Sequence, residues 1–458
     1  MSRLIVVSNR VNPPAKPGEA TTGGLAMALA AALREYRGLW FGWSGQTTDE
    51  FTGQLHIQKV GGVTVATVDL EAHDFDEYYN GFANRTLWPL FHYRIDLTAY
   101  DRSYGEGYAR VNRRFAETLS PLIEPDDLVW VHDYHLIPLA AGLRAQGVEN
   151  PIGFFLHIPW PPHQLLATLP RARELVESLF AYDLIGFHTV EWLDAFRDYV
   201  LKEAGGHEAD GRLHAFGSSV RAIADPIGID AADFAVASRS EAADEHHETM
   251  VNSAGGRAII VGVDRLDYSK GLEDRFLSYE RFLEENPDWR ERCFLLQIAP
   301  TSRGELEAYQ DIRADLETLT GRINGAYAAL DWTPIRYVNR NYRRDELAGV
   351  YRAARIGLVT PLRDGMNLVA KEYVAAQDPE DPGVLILSRF AGAAIQMPEA
   401  LIVNPFSQED VADALRRGLE MPLDERRQRW RALMDGVEKD DVLAWRETFV
   451  DALKQARA

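Results

Sequence analysis

Charged and polar side chains follow short apolar segments of the sequence at six places, three in each half of the chain: Asn9–Arg10, His132–Asp133, His157, Asp264–Arg265, Thr301–Ser302–Arg303 and Arg363–Asp364. In open parallel sheets, ligands bind in the crevice outside the carboxyl ends of the strands. One arginine after a strand is usually a solvated loop residue, but six polar strand ends predict one ligand site in a cleft between two domains. Because guanidinium groups bind phosphate in a bidentate manner, the arginines indicate an anionic substrate.

Three weaker patterns have simpler explanations. The pair Gly23–Gly24 precedes a predicted helix whose N-terminus could attract phosphate, although a plain tight turn is the simpler interpretation. Asp74 and Asp76 form a DxD pattern at a predicted helix start, where carboxylates more often cap the helix than bind metal. The pair His246–His247 has no metal-ligand spacing around it and is interpreted as solvated surface.

The elements that must position these residues are short apolar strands alternating with amphipathic helices, a pattern typical of parallel α/β architecture. The first predicted series of strands is Leu4–Ser8, Leu39–Trp43, Val63–Val68, Leu128–His132, Ile152–His157, Leu184–Phe187 and Val220–Ala224. The second is Ala258–Val263, Cys293–Ile298, Ile335–Val338, Ile356–Thr360, Val384–Ser388 and Leu401–Val403. Predicted helices include Leu25–Tyr36, Leu272–Glu285, a polar helix ending at Gly255–Gly256, and a long helical stretch at Asp424–Ala458. We therefore expect two Rossmann-like domains, residues 1–235 and 236–440, with helix 441–458 packing back on the first.

Composition narrows the class of protein. Lys and Arg total 49 against 69 Asp and Glu, so the formal charge of −20 argues against a nucleic-acid or anionic-membrane surface. Apolar runs stay well short of the ~20 residues that span a bilayer. Cys293 is the single cysteine, which excludes an intrachain disulfide. The sequence contains no GxGxxG fingerprint, which argues against a nicotinamide-dependent oxidoreductase, and no GxxxxGK[ST], HExxH or GxSxG pattern. We expect a cytoplasmic globular protein.

Nine motifs, in the same order along the chain, resemble the trehalose-6-phosphate synthase family of retaining glycosyltransferases. They are SNR, TGGLA, LWFGWSG, DEYYNGFANRTLWPLFHY, VWVHDYHL, FFLHIPWP, DRLDYSKGL, QIAPTSRG and TPLRDGMNLVAKEYVAAQ. The resemblance covers roughly residues 1–450 and implies an α/β protein with the GT-B fold, in which two Rossmann-like domains enclose a cleft. It also implies transfer of glucose from UDP-glucose to glucose 6-phosphate with retention of configuration. The sequence departs from the family at Trp160–Leu169 and Ile395–Pro398.

The resemblance implies an acceptor site and a donor site. The acceptor site would consist of Arg10, Tyr79, Trp88, Asp133, Ile158 and Arg303, with the two arginines and the Tyr79 hydroxyl on the sugar phosphate. The donor site would consist of Gly23, Gly24, Arg265, Lys270, Tyr342, Asp364, Leu368, Val369, Ala370, Lys371 and Glu372. The catalytic residues would be Asp133, His157, Arg265, Lys270 and Asp364. The resemblance also implies that Arg265 and Lys270 neutralise the diphosphate. The helix N-terminus at Leu368–Glu372 would bind a phosphate group, and the Glu372 side chain would bind the ribose.

The family mechanism implied here is front-face attack, in which the leaving diphosphate accepts the acceptor's proton. It requires no metal and no cofactor, since cationic side chains stabilise the leaving group. Two alternatives stay open: a glucosylglycerol-phosphate synthase and a non-catalytic sugar-nucleotide sensor. The donor base (uracil, adenine or guanine) is also open. The resemblance further implies a separate trehalose-phosphate phosphatase acting on the product, and it is compatible with a homo-oligomer.

Overall fold

The computed structural model describes residues 3–11, 33, 38–60, 62–304 and 306–456. Gly23, Gly24 and, apart from Leu33, the predicted helix Leu25–Tyr36 lie outside the described residues. The chain divides into two compact units: unit 1 comprises Met1–Pro226 with Leu443–Ala458, and unit 2 comprises Ile227–Val442.

Unit 1 contains a ten-stranded sheet in the order β3-β4-β2-β1-β5-β6-β7-β10-β9-β8. Its strands are β1 (Leu4–Arg10), β2 (Leu39–Thr48), β3 (His56–Val60), β4 (Val63–Glu71), β5 (Leu128–His132), β6 (Ile152–Phe155), β7 (Leu184–Phe187), β8 (His207–Ala209), β9 (Arg212–Ala215) and β10 (Ser218–Ala224). In sheet order, the strands β4, β2, β1, β5, β6, β7 and β10 are parallel to one another. At the two edges, β3 pairs antiparallel with β4, β9 with β10, and β8 with β9. The parallel strands from β4 to β7 have the 3-2-1-4-5-6 order of Rossmann folds, which places a topological switch point between β1 and β5.

The helices of unit 1 lie between its strands along the sequence, apart from the C-terminal helix. They are Ala72–Asp74, a π-helix at Phe75–Leu87, Trp88–Phe91, Arg102–Leu119, Leu139–Ala145, His163–Leu166, Ala172–Leu179, Val190–Lys202 and Val442–Gln455, with short 3-10 turns at Ile95–Leu97, Ser120–Leu122 and Tyr134–Leu136.

Unit 2 contains a six-stranded parallel sheet in the order β13-β12-β11-β14-β15-β16. Its strands are β11 (Ala258–Val263), β12 (Cys293–Ile298), β13 (Ile335–Val338), β14 (Ile356–Val359), β15 (Val384–Ser388) and β16 (Leu401–Val403). Its helices are Ala231–Ala237, Glu241–Ala254, Leu272–Glu285, Glu307–Tyr327, Arg344–Ala353, Leu368–Ala376, Gln408–Glu420 and Leu423–Lys439, with 3-10 turns at Tyr268–Lys270, Pro287–Trp289 and Gly392–Ile395. The strand order is again 3-2-1-4-5-6, with its switch point between β11 and β14.

The C-terminal helix Val442–Gln455 packs on the sheet of unit 1 through two aromatic residues. Phe449 stacks on Trp130 of β5 at 4.6 Å, and Trp445 contacts the same ring at 4.8 Å between centroids. Two glycines make room for the Phe449 ring: a Cβ would lie 2.7 Å from it at Gly153 and 2.8 Å from it at Gly186. The helix therefore completes the core of unit 1.

Several boundaries differ from those predicted. The units divide at Pro226–Ile227 rather than at residue 235, because helix Ala231–Ala237 packs on unit 2: the Phe234 ring lies 6.5 Å from that of Tyr351 and 4.7 Å from the Arg344 guanidinium. The predicted helical stretch Asp424–Ala458 is two helices, since Asp440 leaves the helical conformation at φ −101° and ψ 55°. The predicted helix end at Gly255 is confirmed by its left-handed φ of 58°.

Candidate functional site

Arg10 ends β1 at the switch point of unit 1 and has an exposed side chain. Its guanidinium lies 5.7 Å from the centroid of the Trp43 ring. It also rests against the backbone of Gly45 (φ +90°), where a Cβ would lie 2.6 Å from the guanidinium nitrogens. The aromatic face and the glycine hold a cationic group at the carboxyl end of the sheet, where an anionic ligand is expected.

Aromatic rings connect Arg10 to two further predicted acceptor residues. Tyr79, on the π-helix Phe75–Leu87, lies 5.8 Å from Trp43 and stacks at 5.8 Å on His135. His135 contacts Tyr134, and Tyr134 lies 5.7 Å from Trp88. Ile158, the remaining apolar residue of the predicted acceptor set in unit 1, is buried.

Asp133 and His157 lie next to each other at the ends of β5 and β6. Asp133 adopts a positive φ of 76°, which is uncommon for a residue with a side chain, and its Oδ1 accepts the backbone N–H of His157 at 3.1 Å. Nδ1 of His132 lies 3.0 Å from Nε2 of His157. Burial lowers the pKa of His157 to about 3, and burial together with His157 lowers the pKa of His132 well below its usual range. Both imidazoles are therefore neutral near pH 7.

At the switch point of unit 2, Lys270 follows β11 and Asp364 follows β14. The buried Lys270 ammonium donates to Oδ2 of Asp364, and the same oxygen accepts from Nδ2 of Asn367 at 3.1 Å. Arg265, the first cation after β11, is exposed. The short segment Arg265–Lys270 therefore carries both an exposed guanidinium and a buried, paired ammonium.

Arg275 organises the base of this loop, and we did not predict it. Its guanidinium is fully buried and donates to Asp264 at 2.6 Å, to Gln297 at 2.8 Å and to Thr360 at 2.9 Å. Nη2 also reaches the carbonyl oxygen of Lys270 at 3.4 Å. Burial raises the pKa of Asp264, and the Arg275 charge opposes that shift. Arg275 therefore ties three strands to the loop that carries Lys270.

Arg303 differs from Arg10 because its side chain is only 7% exposed and already has hydrogen-bond partners. It has a positive φ of 50°, and its Nη1 donates to Asp267 at 3.2 Å and to the Tyr309 hydroxyl at 2.6 Å. The Tyr309 hydroxyl in turn donates to Asp267 at 2.9 Å. A ligand at Arg303 would share the guanidinium with the Asp267 carboxylate.

The predicted donor segment Leu368–Glu372 forms the first turns of helix Leu368–Ala376. Asn367 caps this helix in the left-handed region (φ 78°), and its side chain accepts the Ala370 N–H at 3.3 Å. Burial raises the pKa of Glu372 to about 7, and Arg344 opposes that shift. The Lys371 ammonium donates to other groups of unit 2, so only the backbone of Lys371 is available to bind a ligand at the helix start.

Lys371 is buried and donates to the carbonyl of Ile227 at 2.8 Å and to Oε1 of Gln396 at 2.7 Å.

Tyr342, predicted to lie near the donor base, is partly exposed; its ring lies 5.7 Å from the Arg340 guanidinium and 6.3 Å from the His246 ring.

Among the described residues, one group of side chains has metal-ligating atoms within reach of one another: Glu71, His73 and Asp74. Both carboxylates are occupied by arginines, since Arg110 lies 2.6 Å from Asp74, and Arg114 pairs with Asp74 and lies 3.1 Å from Glu71. The prediction that Asp74 caps a helix is wrong, because its carboxylate pairs with these arginines and accepts no cap hydrogen bond.

Within the part of the chain that the structure describes, every helix is too short or too polar to cross a bilayer. Two Rossmann-like sheets, each with cationic and carboxylate side chains at its switch point, are the architecture of the GT-B glycosyltransferases, and the similar solved structures place the chain in this class, as the motif resemblance implied. The sequence matches the model of glycosyltransferase family 20 over residues 2–455, and the chain belongs to this family.

Relatives with known names agree with this assignment. The chain is 50% identical over 457 residues to the trehalose-6-phosphate synthase of Sinorhizobium fredii, covering 99% of this chain and 98% of that protein. Its structure resembles the UDP-forming α,α-trehalose-phosphate synthase of Burkholderia xenovorans in complex with glucose 6-phosphate (TM-score 0.95, 52% identity, 99% and 100% coverage). It also resembles the E. coli trehalose-6-phosphate protein bound with UDP-2-fluoro glucose (TM-score 0.94, 47% identity, 99% coverage of each chain). The resemblance stated from the motifs is confirmed.

Proposed function

We propose that the protein transfers glucose from UDP-glucose to glucose 6-phosphate with retention of configuration, giving α,α-trehalose 6-phosphate and UDP. The observation that carries this proposal is similarity over the whole chain, near 50% identity, to enzymes of that name, one of them in complex with glucose 6-phosphate. The Lys270–Asp364 pair supports it, since a nucleotide-sugar transferase needs a cation beside the leaving diphosphate and an acceptor of sugar hydrogen bonds.

The proposed acceptor residues are those that the motifs indicated. Arg10 and the Tyr79 hydroxyl bind the phosphate of glucose 6-phosphate, Asp133 accepts hydrogen bonds from acceptor hydroxyls, and Trp88 and Ile158 form apolar walls. The exposure of Arg10 supports this role, because its guanidinium can reach a ligand without breaking an ion pair to any residue that the structure describes. Arg303 belongs to the proposed set on the resemblance alone, since its partners here are Asp267 and Tyr309.

The proposed donor residues are Arg265 and Lys270 on the diphosphate, Asp364 and His157 on the transferred glucose, Tyr342 near the base, and the start of helix Leu368–Ala376. The glycines Gly23 and Gly24 complete this set by resemblance and lie outside the described residues. Free N–H groups at the helix start suit phosphate, and the Glu372 carboxylate suits ribose hydroxyls.

The mechanism that we propose is front-face displacement. The acceptor hydroxyl oxygen bonds to the anomeric carbon on the side from which the diphosphate departs, and a leaving phosphate oxygen takes the hydroxyl proton. Lys270 and Arg265 stabilise the negative charge that develops on the diphosphate, while Asp133 and His157 orient the two sugars. Asp133 and Asp364 are assigned to sugar hydroxyls, so no carboxylate is assigned as a nucleophile.

The test is to incubate the purified protein with UDP-, ADP- or GDP-glucose and with glucose 6-phosphate or glycerol 3-phosphate, and to identify products by mass spectrometry and proton NMR. We expect an α,α-linked disaccharide phosphate from UDP-glucose and glucose 6-phosphate. A product with glycerol 3-phosphate alone would make the protein a glucosylglycerol-phosphate synthase. Binding of the nucleotide sugar without turnover would make it a sensor.

Three further parts of the proposal concern the protein's setting. We place the reaction in the cytoplasm, where the product would contribute to osmoprotection, and we expect a separate trehalose-phosphate phosphatase to dephosphorylate it. A homo-oligomer is compatible with the proposal, and light scattering of the purified protein decides the oligomeric state.

A further inference from the structure

The last residue of β5, His132, contacts a proposed catalytic residue but has no role in the mechanism above. Its side chain is buried, its Nδ1 lies 3.0 Å from Nε2 of His157, and the two rings stack at 5.3 Å with 22° between their planes. Because burial keeps both imidazoles neutral, the shared hydrogen bond holds one proton. The position of that proton decides what the second nitrogen of each ring can do.

Two arrangements are chemically possible. If His132 donates from Nδ1, its Nε2 carries a lone pair and His157 carries its own proton on Nδ1. If His157 donates from Nε2, then Nε2 of His132 is an N–H donor and Nδ1 of His157 carries a lone pair. In the first case His157 offers a donor to a ligand, and in the second it offers an acceptor.

The surroundings of His132 favour the first arrangement. Its Nε2 is buried and has no hydrogen-bond partner among the described residues, and the same holds for Nε1 of Trp130 and Nε1 of Trp445. The ring of His132 lies 4.6 Å from that of Trp130 and 6.3 Å from that of Trp445. Indole nitrogens can only donate, so an N–H on His132 would add a third unpaired donor to this cluster. Buried N–H groups without an acceptor are rarer and costlier than unpaired lone pairs, which places the lone pair on Nε2 of His132.

We propose that His132 is a positioning residue that donates its Nδ1–H to Nε2 of His157 and so fixes His157 in the tautomer that presents Nδ1–H. The neighbouring Asp133 adds a second restraint, since its Oδ1 holds the backbone N–H of His157 at 3.1 Å. The consequence for catalysis rests on the proposed function: His157 then donates to a hydroxyl oxygen of the transferred sugar, and it does not accept from that hydroxyl.

The direct test is the tautomer of His157 in the full-length protein labelled with 15N-histidine. Long-range 1H–15N correlation spectra distinguish protonated from unprotonated ring nitrogens, and the signals of His157 among the 12 histidines are those lost in His157→Asn. We expect a protonated Nδ1 and an unprotonated Nε2 in the wild type. A proton on Nε2 of His157 overturns the proposal.

Kinetics provide the second test. His132→Phe removes the donor and is expected to lower kcat by about 10- to 100-fold, the range expected when a buried acceptor is left without its donor. His132→Asn places an amide at the position of Nδ1 and should recover most of that loss. Trp130→Phe is the matched control, because it alters the packing around His132 without touching the hydrogen bond to His157. It should keep the wild-type rate and the wild-type tautomer.

The variants separate this proposal from the proposed function. A loss of rate in Trp130→Phe as large as that in His132→Phe would mean that packing, and not the hydrogen bond, is responsible, and would overturn the proposal. Full activity in His157→Asn would remove His157 from the proposed reaction but would leave the tautomer assignment standing. If His132→Phe fails to fold, the wild-type spectrum and His132→Asn decide the question.

Discussion

Arg10 is the residue at which the proposed acceptor site can be tested with least disturbance of the fold, because its side chain is exposed. A charged hydrogen bond contributes about 1.5–3 kcal/mol, and about 1.4 kcal/mol is a tenfold change. Arg10→Ala should therefore lower kcat/KM for glucose 6-phosphate by roughly 10- to 150-fold. Steady-state assays with saturating UDP-glucose measure this ratio.

The matched control is Arg102→Ala, which removes an exposed arginine of unit 1 whose ion-pair partner among the described residues is its helix neighbour Glu106. This control should keep the wild-type kcat/KM. Calorimetric titration of Arg10→Ala with UDP, without acceptor, should give the wild-type affinity. If UDP affinity fell as much as acceptor use, Arg10 would belong to the donor site.

Lys371 predicts a pH dependence of stability. Burial lowers its pKa to about 8, and Asp440 opposes the shift. An unfolded lysine titrates near pH ~10.4, so between about pH 8 and pH 10.4 the unfolded state binds more protons and stability rises with pH. The gain relative to Lys371→Met should reach at most about 3 kcal/mol, since one pKa unit corresponds to about 1.4 kcal/mol.

Urea unfolding of the wild type and of Lys371→Met at pH 7 and at pH 10 measures this gain as a change in their difference. The exposed Lys439 supplies the control, since Lys439→Met should show the same difference from the wild type at both values. If the difference between Lys371→Met and the wild type were independent of pH, burial would not disfavour the charged form of Lys371.

At the scale of single residues, sequence reasoning located strand-end residues but not their partners. Arg10, Asp133 and Asp364 were found because polar residues after apolar segments mark the carboxyl edge of a sheet. Arg275 was missed because it lies in the first turns of helix Leu272–Glu285, where an arginine normally faces solvent. Its contacts with Asp264 and Thr360 join residues far apart in the chain, and no local pattern indicates them.

Strands formed by continuous apolar runs were predicted well, including the partly exposed edge strands β13 and β16. The bounds of β5, β7, β11, β12, β13, β15 and β16 match those predicted from apolar runs. The antiparallel strands β3, β8 and β9 were missed because they are short and have few buried residues, so that their sequences resemble those of polar loops. A short strand with few buried residues is specified by its partner more than by its own pattern.

The C-terminal helix gives a prediction at the scale of elements. Phe449 stacks on Trp130 and contacts Phe155 at 5.5 Å, so Phe449→Ala leaves a cavity between helix and sheet. Replacing a buried phenylalanine by alanine costs about 3–5 kcal/mol. We expect a loss of this size in urea unfolding of unit 1, followed by the fluorescence of its tryptophans.

Leu443→Ala is the control for this experiment, since Leu443 lies on the same helix and its side chain is 41% exposed. It should change the free energy of unfolding by less than about 1 kcal/mol. A comparable loss in both variants would mean that packing against Trp130 does not account for the effect.

At the scale of the whole molecule, net charge and local charge differ in sign. The chain carries a net charge of −20, yet cationic side chains lie at the switch points of both sheets, Arg10 in unit 1 and Arg265 and Lys270 in unit 2. Net charge argues against nucleic-acid partners, but it carries no information on an anionic small-molecule site, whose local potential is set by a few nearby cations. The repeated strand order of the two units places those cations, because a Rossmann topology brings the ends of its first and fourth strands together.

This distribution of charge leads to the last prediction, that turnover needs no divalent metal. The candidate ligands Glu71 and Asp74 are neutralised by Arg110 and Arg114, so a metal there would have to displace two guanidinium groups. Lys270, in contrast, lies where a leaving diphosphate is proposed to bind. Assays in excess EDTA should therefore keep the wild-type kcat.

The control for that assay is Lys270→Met, which removes the proposed cation and should lower kcat by roughly 100- to 1,000-fold, the cost of one lost charge-stabilising donor. Magnesium can partly restore Lys270→Met if it substitutes for the ammonium on the diphosphate, whereas it should leave the wild type unchanged apart from mild stimulation through easier product release. Complete loss of wild-type activity in EDTA, restored by magnesium, would show that side-chain cations do not suffice and that the metal-free mechanism is wrong.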